Sequence, residues 1–448
     1  MRRLLTAVMA AMAASAMWAS SAGAQEVTDA SQLAPVDVFE VSGLIDDIMV
    51  EEIDQAIERA TTGDAQALIL QMNSRAAVVS RSEMARLAER IHTADVPIAI
   101  WVGPSGSRAY GLPAQLLAVA DVTGMAPGTR IGRTGTPLTV PGVDIEFGQA
   151  TEELRSGTLG FQEARRLGAL KLTTSDEGVP VLRNMVFALD GLDLGGGGLD
   201  TVIERLDDDG TVVRDATTVR FSKLDALPRL LHTVASPPVA YLLFTIGLAL
   251  LIFEFFTAGV GVAGLVGAVS AVLGSYGLGA LPVRGWAIAL IIVAMLALAV
   301  DVQVGIPRFW TGVGLVLYAV GSWTLFQPVD GASLRPSWIT LVAGIGGTAL
   351  AFIVGMPSMV RTRFATPTIG REWMVGQMGT AVGAIAPEGI VRVGDSQWRA
   401  RTNRATPIDA GAPARVVSID GITLEVEPEE GAARDYRERR SKGTEPTT

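Results

Sequence analysis

The sequence predicts a membrane protein of three parts: an α/β domain, a helical membrane core of about five spans, and a small β-barrel. Three observations predict this arrangement. Apolar blocks long enough to cross a bilayer gather between about Val239 and Val360, strands alternate with helical patterns before them, and short strands separated by glycine turns follow them. The composition is typical of a membrane protein, because 49% of the residues are hydrophobic and only 18% are charged.

Charge and cysteine content argue against several kinds of site. The net charge of −10 gives no support for nucleic-acid binding, which needs a clustered basic face. Since the chain has no cysteine, disulfides and thiolate metal sites are impossible. Its two histidines, His92 and His232, lie far apart, and lone histidines usually lie on surfaces or in satisfied cores. We therefore expect no metal, no cofactor and no nucleic-acid partner.

Residues 1–24 predict a secretory signal peptide. Arg2 and Arg3 precede a short apolar run from Leu4 to Trp18, and Ala22-Gly23-Ala24 fits a small-x-small cleavage site. An uncleaved N-terminal anchor is the alternative, but the short, alanine-rich run favours removal before Gln25. The domain that follows is then extracytoplasmic.

Residues 25–235 predict an α/β domain whose compact part ends near Asp200. Strands alternate with helices in this stretch, which indicates a parallel sheet with helices packed on its faces. The predicted strands are Val36–Val41, Ala65–Met72, Val96–Val102 and one that begins with Asp121–Met125, and the predicted helices are Val50–Thr61, Ser80–Ala94 and Ser107–Ala120.

Residues 236–362 predict the membrane core. A spanning helix needs roughly 20 mostly apolar residues to cover about 30 Å of hydrocarbon. Glu254 and Asp301 lie near the ends of predicted spans, where water reaches them, so we expect structural or interfacial roles for them. The blocks are Val239–Ala258, Val260–Leu281, Trp286–Asp301, Phe309–Phe326 and Trp338–Met359.

Glycines on single helix faces predict close helix packing or self-association, and hence a homo-oligomer. These glycines are Gly274, Gly277, Gly312, Gly314 and Gly321.

Two cues predict the orientation in the membrane. A cleaved signal places the N-terminal domain outside, and five spans then bring the C-terminus to the cytoplasm. Arg361, Arg363 and Arg371 follow the last span, which agrees with the positive-inside rule.

Residues 363–428 predict a small barrel of five strands, and the charged tail 429–448 is predicted to be disordered. Between about Gly370 and Pro428 the only aromatic residues are Trp373 and Trp398, so packing or protein contact is favoured over stacking on nucleic-acid bases. The predicted strands are Thr380–Ile385, Gly389–Val393, Ser396–Ala400, Ala414–Ile419 and Ile422–Val426.

The order of these elements and several phrases resemble the NfeD family of membrane-bound proteins, which carries a ClpP/crotonase-like N-terminal domain and an OB-type C-terminal domain. Glu254–Gly264 resembles the signature that joins the first two spans of the family, and Val302–Gly314 echoes it, which suggests a duplicated helical hairpin. Further matching phrases are Gly43–Ile45, Ala67–Leu70, Val96–Ala99, Pro104–Gly106, Met125–Gly132, Gly376–Gly379, Gly389–Val391 and Trp398–Ala400.

The resemblance implies a serine nucleophile at a helix N-terminus in active members, where free backbone N–H groups stabilise an oxyanion. In this chain the nucleophile's slot is Gly111, which has no side chain. Tyr110 fills a neighbouring slot that is usually tiny, and Pro113 stands where the family has glycine. The nucleophile is therefore predicted to be missing.

The oxyanion loop and the base also depart from the family pattern. Ser74 and Arg75 occupy the slots of the oxyanion glycines, and we expect their side chains to obstruct the peptide groove. The resemblance implies a desolvated lysine as base. Between Ile131 and Gly178 the one lysine is Lys171, too late in the chain for the family position.

Other polar residues predict ordinary structural roles. Ser80, Ser82 and Ser107 are expected to be helix caps or surface residues. Asp207–Gly210 lacks the further ligands of a calcium loop, and Gly195–Gly198 lacks the lysine of a P-loop.

We therefore predict no catalytic, cofactor-binding or metal-binding residue, and a degenerate peptidase that acts as a membrane scaffold. The resemblance implies a stomatin- or flotillin-type partner beside membrane lipid. The alternative is a membrane-bound serine endopeptidase with a relocated serine and Lys171 as its base.

Overall fold

The computed structural model describes residues 33–172, 178–194, 197–207, 209–256, 261–304, 308–359, 372–403 and 406–430. The predicted signal peptide, the Arg361, Arg363 and Arg371 cluster, and the tail beyond Glu430 lie outside the described residues. Contacts divide the chain into two units, Met1–Pro357 and Ser358–Thr448.

The first unit begins with the α/β domain. In chain order its elements are β1 (Val36–Ile45), α1 (Asp47–Thr62), β2 (Ala67–Ala77), α2 (Arg81–His92), β3 (Ile98–Val102), β4 (Arg108–Tyr110), α3 (Leu112–Val119), β5 (Val122–Met125), β6 (Arg130–Gly132), α4 (Thr151–Ser156), β7 (Thr158–Gly160), α5 (Phe161–Arg166), α6 (Leu182–Leu189), β8 (Val202–Leu206), β9 (Val212–Ala216), β10 (Val219–Ser222) and α7 (Ala226–Val234).

Eight of these strands form one sheet in the order β10-β1-β2-β4-β6-β7, with β3 beside β2 and β5 beside β3. The pairs are parallel except for β6 with β7, so the predicted parallel sheet is confirmed. The long strand β2 first pairs with β3 through Leu68–Met72 and then pairs with β4 through Ser74 and Ala109. It therefore joins the two parts of the sheet.

Helix α1 covers the sheet with one apolar face, and buried residues recur along it at helical spacing. Its N-cap is Asp46, whose carboxylate accepts the Met49 amide at 2.9 Å. Helix α2 begins with a capping box in which Ser80 and Glu83 satisfy each other's backbone amides. The expected capping role of Ser80 is thereby confirmed.

The membrane core follows in the same unit. Four helices are long and apolar enough to cross a membrane, namely Pro237–Phe256, Val262–Gly279, Gly285–Gln303 and Trp338–Met359. The remaining predicted span is a helix of 16 residues. We label the helices α8 (Pro237–Phe256), α9 (Val262–Gly279), α10 (Gly285–Val304), α11 (Phe309–Thr324) and α12 (Trp338–Leu350), the last continued by the π-helical turn Ala351–Gly355.

Glycines let the membrane helices approach closely, as predicted. A Cβ added at Gly274 would lie 2.3 Å from the backbone nitrogen of Phe244 on α8. On the second helix pair, a Cβ at Gly314 would meet Leu298 at 2.8 Å, whereas one at Gly312 would find open space. Helix packing within the chain accounts for Gly274 and Gly314, whereas Gly312 makes no close helix contact within the chain.

Each helix pair is closed by an acidic side chain near the end of its first helix. Glu254 accepts the amides of Gly261 and Gly264 at 3.0 and 2.9 Å. Asp301 accepts the amides of Arg308 and Thr311, both at 2.8 Å, and also the Thr311 hydroxyl. In both pairs the acceptor precedes its two amide donors by 7 and 10 residues. This repeated cap supports a duplicated hairpin and gives both acids a structural role.

The second unit contains a closed barrel of five strands, which confirms the predicted architecture. Ala400, Leu424 and Val426 belong to its buried core, and Trp398 packs against that core. Trp373 is 61% exposed. The strands are β13 (Met378–Ala381), β14 (Glu388–Val393), β15 (Ser396–Arg401), β16 (Pro413–Asp420) and β17 (Thr423–Pro428), and a 3-10 turn (Glu372–Met374) precedes them.

Candidate functional site

The candidate site is the turn between β4 and α3, where the resemblance places the slot of the nucleophile. Gly111 is the N-cap of α3 with φ +68° and ψ −138°, a conformation that side chains resist. Its amide donates to the Gly132 carbonyl at 3.0 Å. The predicted helix start at Ser107 was wrong, because Arg108–Tyr110 pair with β6 as a strand and the helix begins only at Leu112.

Tyr110, beside the slot, is buried under arginine side chains. The Arg108 guanidinium donates to the Tyr110 hydroxyl at 3.2 Å, and the Arg133 guanidinium lies 5.4 Å from the ring centroid. Pro113 takes the second position of α3, where a missing amide donor costs little. Both departures from the family pattern are thus accommodated locally.

Gln115 is a residue of this site that sequence reasoning missed. Its side chain is fully buried, and its amide group donates to the carbonyls of Thr134 and Thr136 at 2.6 and 3.0 Å. Its side-chain carbonyl accepts the Leu138 amide at 2.7 Å. One side chain therefore fixes the loop 134–138 against α3. A glutamine inside an apolar helix, with Leu and Ala around it, was the available signal.

The stretch at Ser74 lies within β2, which extends to Ala77 with a register shift in its pairing with β1 after Ser74. Ser74 is fully buried, and its hydroxyl donates to the Ala76 carbonyl at 3.1 Å. The expectation that Ser74 obstructs a groove was therefore wrong. The Arg75 side chain is exposed.

Lys171 lies at the end of α3 opposite to Gly111. Its ammonium group donates to the Ala120 carbonyl, just after the last turn of α3. Burial lowers the pKa of Lys171, and the neighbouring Asp121 carboxylate opposes that change. A helix of eight residues is about 12 Å long, so this amine cannot deprotonate a nucleophile at position 111.

The relocated serine does not meet Lys171 either. Ser107 is buried before β4, and within the described residues no serine hydroxyl contacts the Lys171 ammonium. Nor do the described residues contain a group of three or more His, Asp or Glu side chains that could hold a metal ion.

The space in front of Gly111 is filled by a hairpin from the membrane core, β11 (Pro328–Val329) and β12 (Ala332–Ser333). A Cβ at Gly111 would lie 2.3 Å from the carbonyl oxygen of Asp330. The Asp330 carboxylate also pairs with Arg81 at 2.6 Å. The turn at Gly111 is thus a contact between the α/β domain and the membrane core.

Within the α/β domain, His232 on α7 contacts the end of β1 and the N-cap of α1. Its Nδ1 lies 2.8 Å from an Asp46 carboxylate oxygen, and its Nε2 lies 3.0 Å from the Ser42 carbonyl. Burial disfavours the imidazolium, but the bonds to Asp46 and Ser42 outweigh it and raise the pKa of His232. The other histidine, His92, is exposed at the end of α2.

Comparison with known proteins gives two family matches in tandem. The model of the NfeD integral membrane domain matches residues 238–356, and that of the NfeD-like C-terminal, partner-binding domain matches residues 371–428. The membrane-bound protease PH1510 of Pyrococcus horikoshii is 26% identical over 420 residues, which cover 87% of this chain and 92% of that protein.

Two solved structures from the same organism are also similar to parts of the chain. One is 1510-N, a membrane protease specific for a stomatin homolog; it is 16% identical, with a TM-score of 0.35, over 45% of this chain and 98% of that one. The other is the C-terminal domain of the stomatin operon partner protein 1510-C; it is 40% identical, with a TM-score of 0.13, over 14% of this chain and 97% of that one.

Proposed function

This chain belongs to the NfeD family, and on that premise we propose that it is a membrane scaffold whose ClpP-like domain has lost peptidase chemistry. One observation carries the proposal. At Gly111 the turn into α3 offers no nucleophilic side chain, and the Asp330 carbonyl occupies the space that such a side chain would need.

The rest of the site supports the same proposal. A peptidase of this kind needs an activated nucleophile, a base within reach and open donors for the oxyanion. Here Lys171 lies at the far end of α3, and β2 continues through the segment where oxyanion glycines would stand. The lowered pKa of Lys171 favours the alternative, a peptidase with a relocated site.

For the partner, we propose that the barrel binds a stomatin- or flotillin-type membrane protein. The matching family model describes a partner-binding domain, and the similar 1510-C is a stomatin operon partner protein. The full assembly in this proposal includes membrane lipid and a homo-oligomer formed through the membrane core. The division into 25–235, 236–362 and 363–428 belongs to the same proposal.

We also propose that the α/β domain is extracytoplasmic and the barrel cytoplasmic. The hairpin after α11 contacts the α/β domain, so both lie on one side of the membrane. Four helices separate them, and an even number of crossings requires the short α11 to span together with α8, α9 and α10. Its 16 residues are about 24 Å long, a mismatch that local thinning of the bilayer accommodates. Helix α12 is then the fifth crossing.

A serine-reactive fluorophosphonate probe tests the loss of chemistry. We expect no labelling of the purified wild-type protein and none of Gly111→Ser. Restoring the hydroxyl leaves base and oxyanion donors missing, and one lost oxyanion donor alone costs about 2.7–4 kcal/mol. A working serine hydrolase in the same reaction serves as the positive control. The proposal is contradicted if the wild type is labelled and Ser107→Ala or Lys171→Ala abolishes that labelling.

A further inference from the structure

We propose that the hairpin Pro328–Ser333 is an intramolecular latch, and that the turn at the N-terminus of α3 is its receptor. The receptor is thus occupied by a segment of this chain, presented by the membrane core, and the contact holds the α/β domain in place on that core. This inference goes beyond the proposed function, since the latch can exist whether or not the domain retains chemistry elsewhere.

The first argument is the close approach of two backbones. A Cβ at Gly111 would lie 2.3 Å from the Asp330 carbonyl oxygen, and a Cβ at Gly331 would lie 2.6 Å from the Cα of Gly111. It would also lie 2.7 Å from the Arg133 carbonyl oxygen. Both glycines have positive φ, +68° and +80°. The contact therefore needs glycine on each side, and a serine nucleophile at position 111 would exclude the hairpin.

The second argument is charge recognition at the tip of the hairpin. Arg81 pairs with the Asp330 carboxylate at 2.6 Å and also donates to the carbonyls of Thr136 and Pro137 at 2.9 and 3.0 Å. The Arg81 guanidinium thus joins the hairpin to the loop 134–138, which Gln115 also holds by hydrogen bonds. Both charged side chains are partly exposed, so the pair contributes orientation more than stability.

The third argument is that the membrane core holds the base of the hairpin. Arg284, between α9 and α10, donates to the carbonyls of Thr324 and Phe326 at 2.5 and 2.7 Å. The Gln327 amide donates to the Pro282 carbonyl at 2.8 Å. The base of the hairpin is therefore held by hydrogen bonds to the connection between α9 and α10, while its tip contacts the α/β domain. A latch requires this arrangement.

Hydrogen–deuterium exchange of the full-length protein in lipid nanodiscs tests the latch, with pepsin peptides that cover the hairpin. We expect slow exchange in the wild type. In Gly111→Ala the methyl group expels the tip, and exchange of the hairpin should accelerate about tenfold or more. The matched control is Gly168→Ala. Gly168 also has a positive φ, +74°, but no atom lies within 4 Å of an added Cβ, so this variant places alanine at a positive-φ position without the collision.

A second variant keeps the test decisive if Gly111→Ala disturbs the α/β domain. Gly331→Ala places the colliding methyl on the hairpin instead, and should release the hairpin while the amides of β3 stay protected. The latch is overturned if the wild-type hairpin exchanges as fast as an unstructured peptide, or if Gly331→Ala leaves its protection unchanged. Equal release by Gly168→Ala would overturn it as well, because strain alone would then explain the effect.

Discussion

Gly111 has no side chain, and the Asp330 carbonyl can therefore approach its backbone closely. The positive φ of this residue and the carbonyl of Asp330 at 2.3 Å from its would-be Cβ both disfavour any substitution. In the proposed function, loss of a nucleophile and gain of a backbone contact are therefore the same change at this position. The neighbouring Tyr110 and Pro113 fit the altered turn without strain of their own, since each has a local contact or a tolerated helix position.

His232 predicts a pH-dependent stability of the α/β domain. Hydrogen bonds with Asp46 and Ser42 prevail over burial, so the pKa of His232 is higher in the folded than in the unfolded protein. The protonated form thus stabilises the fold fully below the unfolded pKa of about 6.5, and the benefit is lost as pH rises through the folded pKa. We expect the Tm of the full chain in detergent to fall from about pH 6 to about pH 9, and His232→Gln to flatten that fall.

The matched control for this titration is His92→Gln, because His92 is the other histidine of the chain and is exposed. It should retain the wild-type dependence of Tm on pH. The interpretation fails if His232→Gln keeps the full slope, or if the wild-type Tm rises over this range.

The two helix pairs of the membrane core, α8–α9 and α10–α11, have the same type of helix cap. Helices leave their first amides without intrahelical partners, and in a bilayer an unsatisfied amide is costly. Glu254 and Asp301 lie near the end of one helix, and their carboxylates accept hydrogen bonds from amides at the start of the next. The spacing is the same in both pairs. A carboxylate in an apolar segment costs free energy in a membrane, but here each of the two caps the helix that follows it.

Removing the second cap is expected to weaken the α10–α11 pair. Asp301→Ala leaves the amides of Arg308 and Thr311 and the Thr311 hydroxyl without their acceptor, so the midpoint of unfolding in an SDS titration should decrease. Circular dichroism of the full chain measures it. Gln303→Ala, at an exposed position of the same helix, is the control and should keep the wild-type midpoint. An unchanged midpoint for Asp301→Ala would show that the cap contributes nothing.

At the scale of the whole molecule, the orientation can be tested by reporter fusions. Fusions at Asp200 and at Gln327 should report the extracytoplasmic side, and a fusion after Pro428 the cytoplasmic side. The fusion at Gln327 is the sharpest of the three, because it reports whether the 16-residue α11 crosses. If Gln327 and Asp200 lie on opposite sides, α11 does not span and the predicted count of five is too high.

The barrel is expected to fold without the rest of the chain, since it forms a contact unit of its own around a buried core. A fragment of residues 368–430 should be soluble and unfold in one cooperative transition, as single small domains usually do. It should not bind a single-stranded oligonucleotide at physiological salt, because Trp398 packs against the core and only Trp373 is exposed. Tight binding in a fluorescence titration would restore the nucleic-acid interpretation.

The sequence by itself determined the three-part architecture, because apolar length, strand alternation and glycine turns are local patterns with a direct physical meaning. It also determined that position 111 carries no nucleophile, since a residue type needs no fold to be known. The barrel strands it predicts agree with β13 to β17 to within a few residues.

Tertiary structure alone decided what the altered site contacts. Arg81 and Asp330 are 249 residues apart in the sequence. The local periodicity of apolar residues does not predict which distant segments come into contact. The same limit explains the misplaced start of α3, since Arg108–Tyr110 become a strand only through pairing with β6. It explains Ser74 too, because continued pairing of β2 buries that hydroxyl instead of turning it toward a groove. Strand pairing and close contacts between segments depend on the fold of the whole chain. The periodicity of apolar residues depends only on residues that are near each other in the sequence.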